Sequence, residues 1–243
     1  MSMSLTPKLV AEFIGTLAFV FIGAGAAAVL GGTGLSGIAA IAFAHGLTIM
    51  VFAFAYGSIS GGHMNPAVTI GVLAAGAMRL GAAVGYIVAQ VLGGIAGALL
   101  LLAVLGSPAN GLGMPQLAQG LVLGATTLTI APAAGFVIEA VLAFFLVTAV
   151  LGTAVAGRAG NLAPLAIGMT LTLNIIMGGA LTGAAFNPAR ALGPMVATGN
   201  FTDAWLYMTA PLVGAVIAAF VHLGLTRLVG ERMIAHLAAT PAE

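Results

Sequence analysis

The chain contains no cysteine and has very few charged residues. Of its 243 residues, six are Lys or Arg and five are Asp or Glu, so charged residues make up 5% of the sequence, against roughly 25% in soluble domains. Without cysteine there is no disulfide, no thiolate metal ligand and no thiol chemistry. The six basic residues are scattered, whereas phosphate contacts need grouped Lys and Arg, so nucleic acid is excluded as a partner.

The sequence also lacks the residue patterns of catalysis and of metal binding. No nucleophile is found beside a general base, and no His and carboxylate residues have metal-ligand spacing. His222 and His236, near and beyond the last apolar run, are expected to be interfacial and solvated. We therefore expect neither an enzyme, nor a cofactor, nor a metal site.

Long apolar runs dominate what is present, and hydrophobic residues make up 61% of the chain, as in an integral membrane protein. About 20 apolar residues cross a bilayer. The first run could pass for a signal peptide, but it is long enough to span and has a partner later in the chain, so we expect it to be retained. The 36 glycines predict close helix packing, for example at Gly81/Gly85 and Gly93/Gly97. The predicted spans are 8–30, 36–57, 80–104, 132–156, 162–181 and 203–228.

Two shorter apolar helices, predicted over 66–76 and 188–198, each follow an Asn-Pro pair. Asn can cap free backbone N–H groups, and Pro is tolerated at the first helical position, so both pairs read as helix starts. Each helix is ~15 Å long, half a membrane. Two helix starts at membrane depth must line a cavity, since their free N–H groups would otherwise be unsatisfied. The sequence therefore predicts a pore at Asn65-Pro66-Ala67 and Asn187-Pro188-Ala189.

The basic residues predict the orientation. With six spans, five of them fall on one side, which the positive-inside rule makes cytoplasmic together with both termini. The exception, Arg190, belongs to the second short helix. Residues 105–131 are uncharged and interrupted by Gly and Pro, so we expect them to be an extracellular connection. The five residues on the cytoplasmic side are Lys8, Arg79, Arg158, Arg227 and Arg232.

The chain also repeats itself. Glu12 near the start of span 1 corresponds to Glu139 near the start of span 4, and the surroundings of the two Asn-Pro-Ala motifs coincide. Three spans per half is an odd number, so the copies must be inserted in opposite orientations. We expect one channel domain over 1–243, with inverted repeats at about 8–104 and 132–228.

Three stretches strongly resemble the aquaporin family of major intrinsic proteins, and the resemblance covers essentially the whole chain. It implies an all-α membrane protein, a right-handed bundle of six transmembrane helices with two re-entrant half-helices. It also implies a homotetramer in which each chain has its own pore. The stretches are Ala11-Glu12-Phe13-Ile14-Gly15-Thr16, Ser60-Gly61-Gly62-His63-Met64-Asn65-Pro66-Ala67-Val68-Thr69 and Gly183-Ala184-Ala185-Phe186-Asn187-Pro188-Ala189-Arg190.

The resemblance implies that Asn65 and Asn187 point their side-chain amides into the pore. An Asn that caps a helix with its carbonyl still has two N–H donors for water, while two positive helix ends oppose cations. The alternative is that both are merely loop caps. Glu12 and Glu139 are expected to accept hydrogen bonds from the re-entrant loops; a transporter would instead use them as a proton or ion relay. His63 is expected to organise its loop or to lie at the pore edge.

The family's constriction is reached by counting from the two motifs. It falls on His45, Ile175 and Ala184, together with Arg190, which stands where the first copy has Val68. Outside the resemblance, a lone His is more often a packed core residue, and an Arg here could snorkel to the headgroups. The set resembles the tonoplast intrinsic proteins of plants. Where strict water channels have Phe and His, His45 and Ile175 widen the filter and partly dry it, so ammonia, urea and glycerol become candidate permeants.

We predict a passive water channel that excludes protons and ions and lies in the plasma (inner) membrane, with water and small neutral solutes as permeants. A broader neutral-solute channel of the aquaglyceroporin type is the alternative within the class, although Ala191 replaces the Asp that usually follows the Arg in glycerol facilitators. A secondary transporter is the alternative from another class, and would need coupling-ion sites and two access states.

Overall fold

The computed structural model describes residues 4–239, and for residues 32, 33, 109 and 230–239 it describes the backbone alone. The side chains of Arg232 and His236 thus lie outside the described residues. Within the described residues, six helices are long and apolar enough to cross a membrane, α8 through its part Ala204–Val229. The helices are α1 Leu5–Leu30, α2 Gly34–Ser60, α3 Pro66–Ala74, α4 Leu80–Leu105, α5 Pro132–Val155, α6 Gly160–Thr182, α7 Pro188–Thr198 and α8 Ala204–Ala239.

The six long helices agree with the predicted spans, and α3 and α7 are the two predicted half-helices, so the fold class is confirmed. Helix α3 ends at Ala74, two residues earlier than predicted. Gly76 then adopts a positive φ of 75°, and the Ala77 N–H reaches back to the Val72 carbonyl at 3.0 Å. This left-handed glycine closure satisfies the last carbonyls and stops the helix.

The connection 105–131 has more structure than the sequence suggests. It contains an antiparallel hairpin of β1 Leu121–Leu123 and β2 Thr126–Leu128. Its backbone is tied to the bundle, because the Ala118 N–H donates to the Leu181 carbonyl at 2.8 Å and Leu112 is fully buried. The connection is therefore a packed cover over one end of the bundle.

The inverted repeat is visible in how the helices pack. In each half the first long helix packs against the third, α1 on α4 and α5 on α8, while α2 and α6 pack against each other between the halves. A methyl group on Gly93 would lie 2.3 Å from the Phe13 carbonyl oxygen, and one on its counterpart Gly214 would lie 1.9 Å from that of Ala140. Close packing is thus confirmed at Gly93, while a methyl on Gly81 would contact nothing.

Candidate functional site

The two short helices begin in the same way in the middle of the bundle. Asn65 and Asn187 both have extended backbones, and each is followed by Pro at the first helical position. The Asn65 side-chain oxygen accepts from the Ala67 N–H at 2.8 Å. The Asn187 oxygen accepts from the N–H groups of Ala189 and Arg190 at 3.1 and 3.2 Å. Both asparagines therefore cap their helices through the side-chain carbonyl.

The same asparagines fasten the two half-helices together. The Asn65 amide nitrogen donates to the Phe186 carbonyl at 3.0 Å, and the Asn187 amide nitrogen donates to the Met64 carbonyl at 2.9 Å. Each amide has two N–H bonds, so each Asn keeps one N–H beyond this contact, and the expectation of two free N–H groups is wrong. The reason is that the carbonyl before each Asn is buried and needs a donor of its own.

Glu12 holds the loop before the first half-helix. It is completely buried, and its Oε1 atom accepts from the Ser60 hydroxyl at 2.7 Å and the His63 N–H at 2.9 Å. Its Oε2 atom accepts from the Met64 N–H at 2.6 Å and the Gln90 amide at 2.7 Å. Four donors from three elements thus converge on one carboxylate.

Glu139 holds the second loop in the corresponding way. It too is completely buried, and it accepts from the Thr182 hydroxyl at 2.6 Å, the Ala185 N–H at 3.0 Å and the Phe186 N–H at 2.5 Å. Phe186 has a positive φ, an unfavourable conformation for a non-glycine residue. The carboxylate bonds hold this backbone so that the Phe186 carbonyl meets Asn65. A proton or ion relay would have to line the permeation path. Neither glutamate lines any of the three cavities described below.

Several supporting residues were missed in the sequence. Tyr86 and Tyr207 donate their hydroxyl protons to the carbonyls of Ser60 and Thr182, at 2.7 and 2.8 Å. Their positions were a usable signal, since Tyr86 lies 21 residues after its Asn (86 − 65) and Tyr207 lies 20 after its own (207 − 187). Gln90, also missed, is a fully buried amide in an otherwise apolar span.

His63 lies where its loop meets the pore. Its backbone N–H donates to Glu12, its Nδ1 atom lies 3.1 Å from the Thr69 hydroxyl, and its ring contacts Tyr86 edge to face at 5.3 Å. Gln90 donates to the same Thr69 hydroxyl at 2.9 Å. The side chain is therefore held by the loop network while it lines two of the cavities.

Three cavities follow one another through the bundle. The first, about 520 Å³, opens under the 105–131 connection and includes Arg190. The second, about 20 Å³, lies at the helix starts and includes both Asn65 and Asn187; this space suits about one water molecule. The third, about 700 Å³, opens on the side of the two termini and shares His63 with the second. The second and third cavities share several lining residues, whereas the first and second share none.

Arg190 lines the first cavity, and His45 contacts it. Arg190 is 3% exposed and His45 is 1% exposed, and the Nη2 atom of Arg190 lies 3.5 Å from Nε2 of His45. The His45 Nδ1–H donates to the Ile41 carbonyl at 2.8 Å, so in the neutral ring Nε2 is the acceptor. Among the described residues, Nε and Nη1 of Arg190 have no partner. They are donors held at membrane depth.

The other two predicted filter residues differ from each other. Ile175 is buried and lines the first cavity together with Arg190. Ala184 is also buried, but the neighbouring Gly183 lines that cavity in its place. The Ala184 N–H donates to the Thr182 hydroxyl at 3.1 Å. The structure therefore places Ile175 and Arg190 on the first cavity and His45 against Arg190, while Ala184 is buried beside Gly183.

Comparison with known proteins agrees with this architecture. The family model described as "Major intrinsic protein" matches residues 1–222. Aquaporin TIP1-2 of Zea mays is 40% identical over 243 residues, covering 96% of this chain and 91% of its own. Aquaporin TIP2-3 of Arabidopsis thaliana is 37% identical over 230 residues, with 91% and 88% covered. The X-ray structure of the aquaglyceroporin from Plasmodium falciparum is 26% identical, covers 93% of this chain and 99% of its own, and has a TM-score of 0.78.

Proposed function

The chain belongs to the major intrinsic protein family, and on this premise we propose that it is a passive water channel in which Asn65 and Asn187 form the central barrier. The observation that carries the proposal is the pair of half-helices joined start to start, beside a cavity of about 20 Å³. A single file of water fits such a passage.

The barrier works through fixed dipoles. Two helix starts point their positive ends at the same place, and each Asn offers its remaining N–H to a passing water. A water that accepts from both asparagines has its oxygen turned toward them, so its own hydrogens face away along the file. Cations and protons meet a positive potential there, while neutral water does not.

Arg190 supplies the second barrier. Two of its N–H groups have no partner among the described residues, and its Nη2 atom lies beside His45. We infer that this guanidinium donates to a neutral permeant and repels a cation. We propose His45, Ile175, Ala184 and Arg190 as the filter, with Ala184 contributing from its buried position. An imidazole and an Ile leave a passage wider than Phe and His would, so ammonia, urea and glycerol are the further permeants to test.

The remaining assignments follow from the same architecture. We propose Glu12 and Glu139 as supports of the two loops, and a single channel domain over 1–243 with repeats 8–104 and 132–228 joined by 105–131. The protein is an integral multi-pass membrane protein. We further propose a homotetramer with both termini in the cytoplasm. The plasma membrane expected from the sequence gains no support from the relatives, which are TIP aquaporins.

The test is stopped-flow light scattering of proteoliposomes after an osmotic step. We expect fast shrinkage with a low activation energy, and the same rate whether or not a proton or sodium gradient is present. Asn65→Asp/Asn187→Asp is the matched negative variant, because a side-chain oxygen can still cap each helix while both amide N–H donors are removed. Shrinkage no faster than that of empty liposomes would overturn the channel. A rate that follows an ion gradient would point to a secondary transporter instead.

A further inference from the structure

Gly23 of α1 lies directly against the His45 imidazole. It belongs to the π-helical turn Phe19–Ala24 and is buried. A methyl group built on Gly23 would lie 2.5 Å from Cδ2 of His45 and 2.8 Å from Nε2. Such distances are far inside van der Waals contact, so a residue with a side chain at position 23 would displace the ring. The backbone there is helical, so glycine is not needed for its conformation.

The imidazole is confined on its other sides as well. Its Nδ1–H is tied to the Ile41 carbonyl at 2.8 Å, and Phe19 packs edge to face against it with 5.4 Å between ring centres. On its Nε2 side lies Arg190, whose Nη2 atom is 3.5 Å away. We therefore expect a ring displaced from Gly23 to move toward Arg190.

The second repeat shows that the fold itself does not require this glycine. Val150 is the counterpart of Gly23, since each lies 11 residues after its Glu (150 − 139 and 23 − 12). Ile167 is likewise the counterpart of His45, 20 residues before its Asn (187 − 167 and 65 − 45). Val150 and Ile167 line the central cavity together. Where no imidazole has to be accommodated, the same place in the fold carries a side chain.

We propose that Gly23 is a positioning residue that sets the selectivity of the pore. The notch it leaves in α1 lets His45 sit back from the pore axis and so fixes the width of the filter. This inference rests on the proposed channel function and on the place of His45 in the filter. The solutes it concerns are small, neutral and larger than water, such as urea and glycerol.

The experiment compares Gly23→Ala with wild type in proteoliposomes, measuring the permeability to water, ammonia, urea and glycerol. We expect the permeability to the largest solute that wild type conducts to fall about tenfold, and the permeability to each smaller solute to fall less. If wild type conducts water alone, the loss falls on water. Gly152→Ala is the matched control, because Gly152 lies in the π-helical turn Leu151–Val155 of α5 and a methyl there would contact nothing. It should keep the wild-type permeabilities.

A double-mutant cycle separates positioning from general damage. With His45→Ala the imidazole is gone, so adding Gly23→Ala should leave every permeability unchanged. Equal effects of Gly23→Ala with and without His45 would overturn the proposal, as would an equal loss for all solutes in the single variant. If Gly23→Ala alone does not fold, the double variant should; failure of both would also overturn it. The channel itself is judged separately, by the water flux of wild type.

Discussion

The N-terminal and C-terminal halves share three of the hydrogen bonds that hold each half-helix, but they line the pore with different side chains. Glu12 and Glu139 each accept from two consecutive loop N–H groups and a hydroxyl. Around the pore the correspondence stops. Arg190 corresponds to Val68, a residue that lines the central cavity.

This difference separates two tasks. A barrier at the midplane needs two positive helix ends that meet, so the support of both loops has to be alike. A filter is needed at one end only, and a buried guanidinium is costly to accommodate. Each half therefore contributes one of the two polar residues, His45 from the first and Arg190 from the second. Their counterparts in the opposite halves, Ile167 and Val68, are apolar, and the fold tolerates both.

The largest effect is expected where the halves are alike. Glu12→Ala would remove the acceptor of four hydrogen bonds, and Glu139→Ala would remove the acceptor of three. At ~1–3 kcal/mol per donor, both variants should lose more than about 3 kcal/mol of stability, Glu12→Ala the more. Thermal unfolding of the purified protein in detergent measures this, with the Gln variants as isosteric controls. Unchanged melting temperatures in both Ala variants would contradict the support role.

Arg190→Val makes the second half like the first. Because the fixed positive charge is lost, we expect proton or cation leakage to rise about tenfold, corresponding to ~1.4 kcal/mol of barrier, while water flux persists. A pH-sensitive dye inside proteoliposomes under a potassium diffusion potential reports the leak. The matched control is Arg158→Val, at a residue exposed between α5 and α6. If the variant leaks no more protons or cations than wild type, Arg190 is not part of the barrier.

His45→Phe tests the filter directly. The larger ring should narrow the passage beside Arg190, reducing urea or glycerol flux about fivefold and water flux less, as expected for overpacking of a tight site. The same proteoliposomes are measured with each solute in turn. An equal loss of water and solute flux would refute the assignment of His45 to the filter.

The smallest effect is expected at Gln90, which has no equivalent in the second half. Its amide donates to Glu12 and to Thr69, at 2.7 and 2.9 Å, whereas the corresponding position, four residues after Tyr207, is Pro211. Since the second loop is held without such a group, Gln90→Leu should cost only about 1 kcal/mol of stability. A loss as large as that of Glu12→Ala would show that the two supports are not equivalent. Thermal unfolding again provides the measurement.

Much of the architecture could be predicted because a bilayer restricts the possibilities. Uninterrupted apolar runs must be helices in hydrocarbon, and the Asn-Pro pairs marked the half-helices to within two residues. The candidate site was harder to predict from the sequence. Counting places Ala184 in the filter, whereas in the structure Ala184 is buried and the neighbouring Gly183 lines the cavity. The role of Ala184 in the filter stays a prediction. The direction of a loop backbone depends on which carboxylate and hydroxyl groups bind it, and residue spacing along the chain does not reveal those contacts.

The sequence by itself determined that the chain spans the membrane six times, that it is duplicated and inverted, and that Asn65, Asn187 and Arg190 are exceptional. The sequence is informative here because burying a charge or a helix start in hydrocarbon costs much free energy, so such residues are found there only where a structural or functional role requires them. Only the tertiary structure decided that each Asn gives one N–H to the opposite repeat and that Gly23 leaves room for His45. These contacts join residues far apart in the chain, where packing and direction are set by the whole bundle.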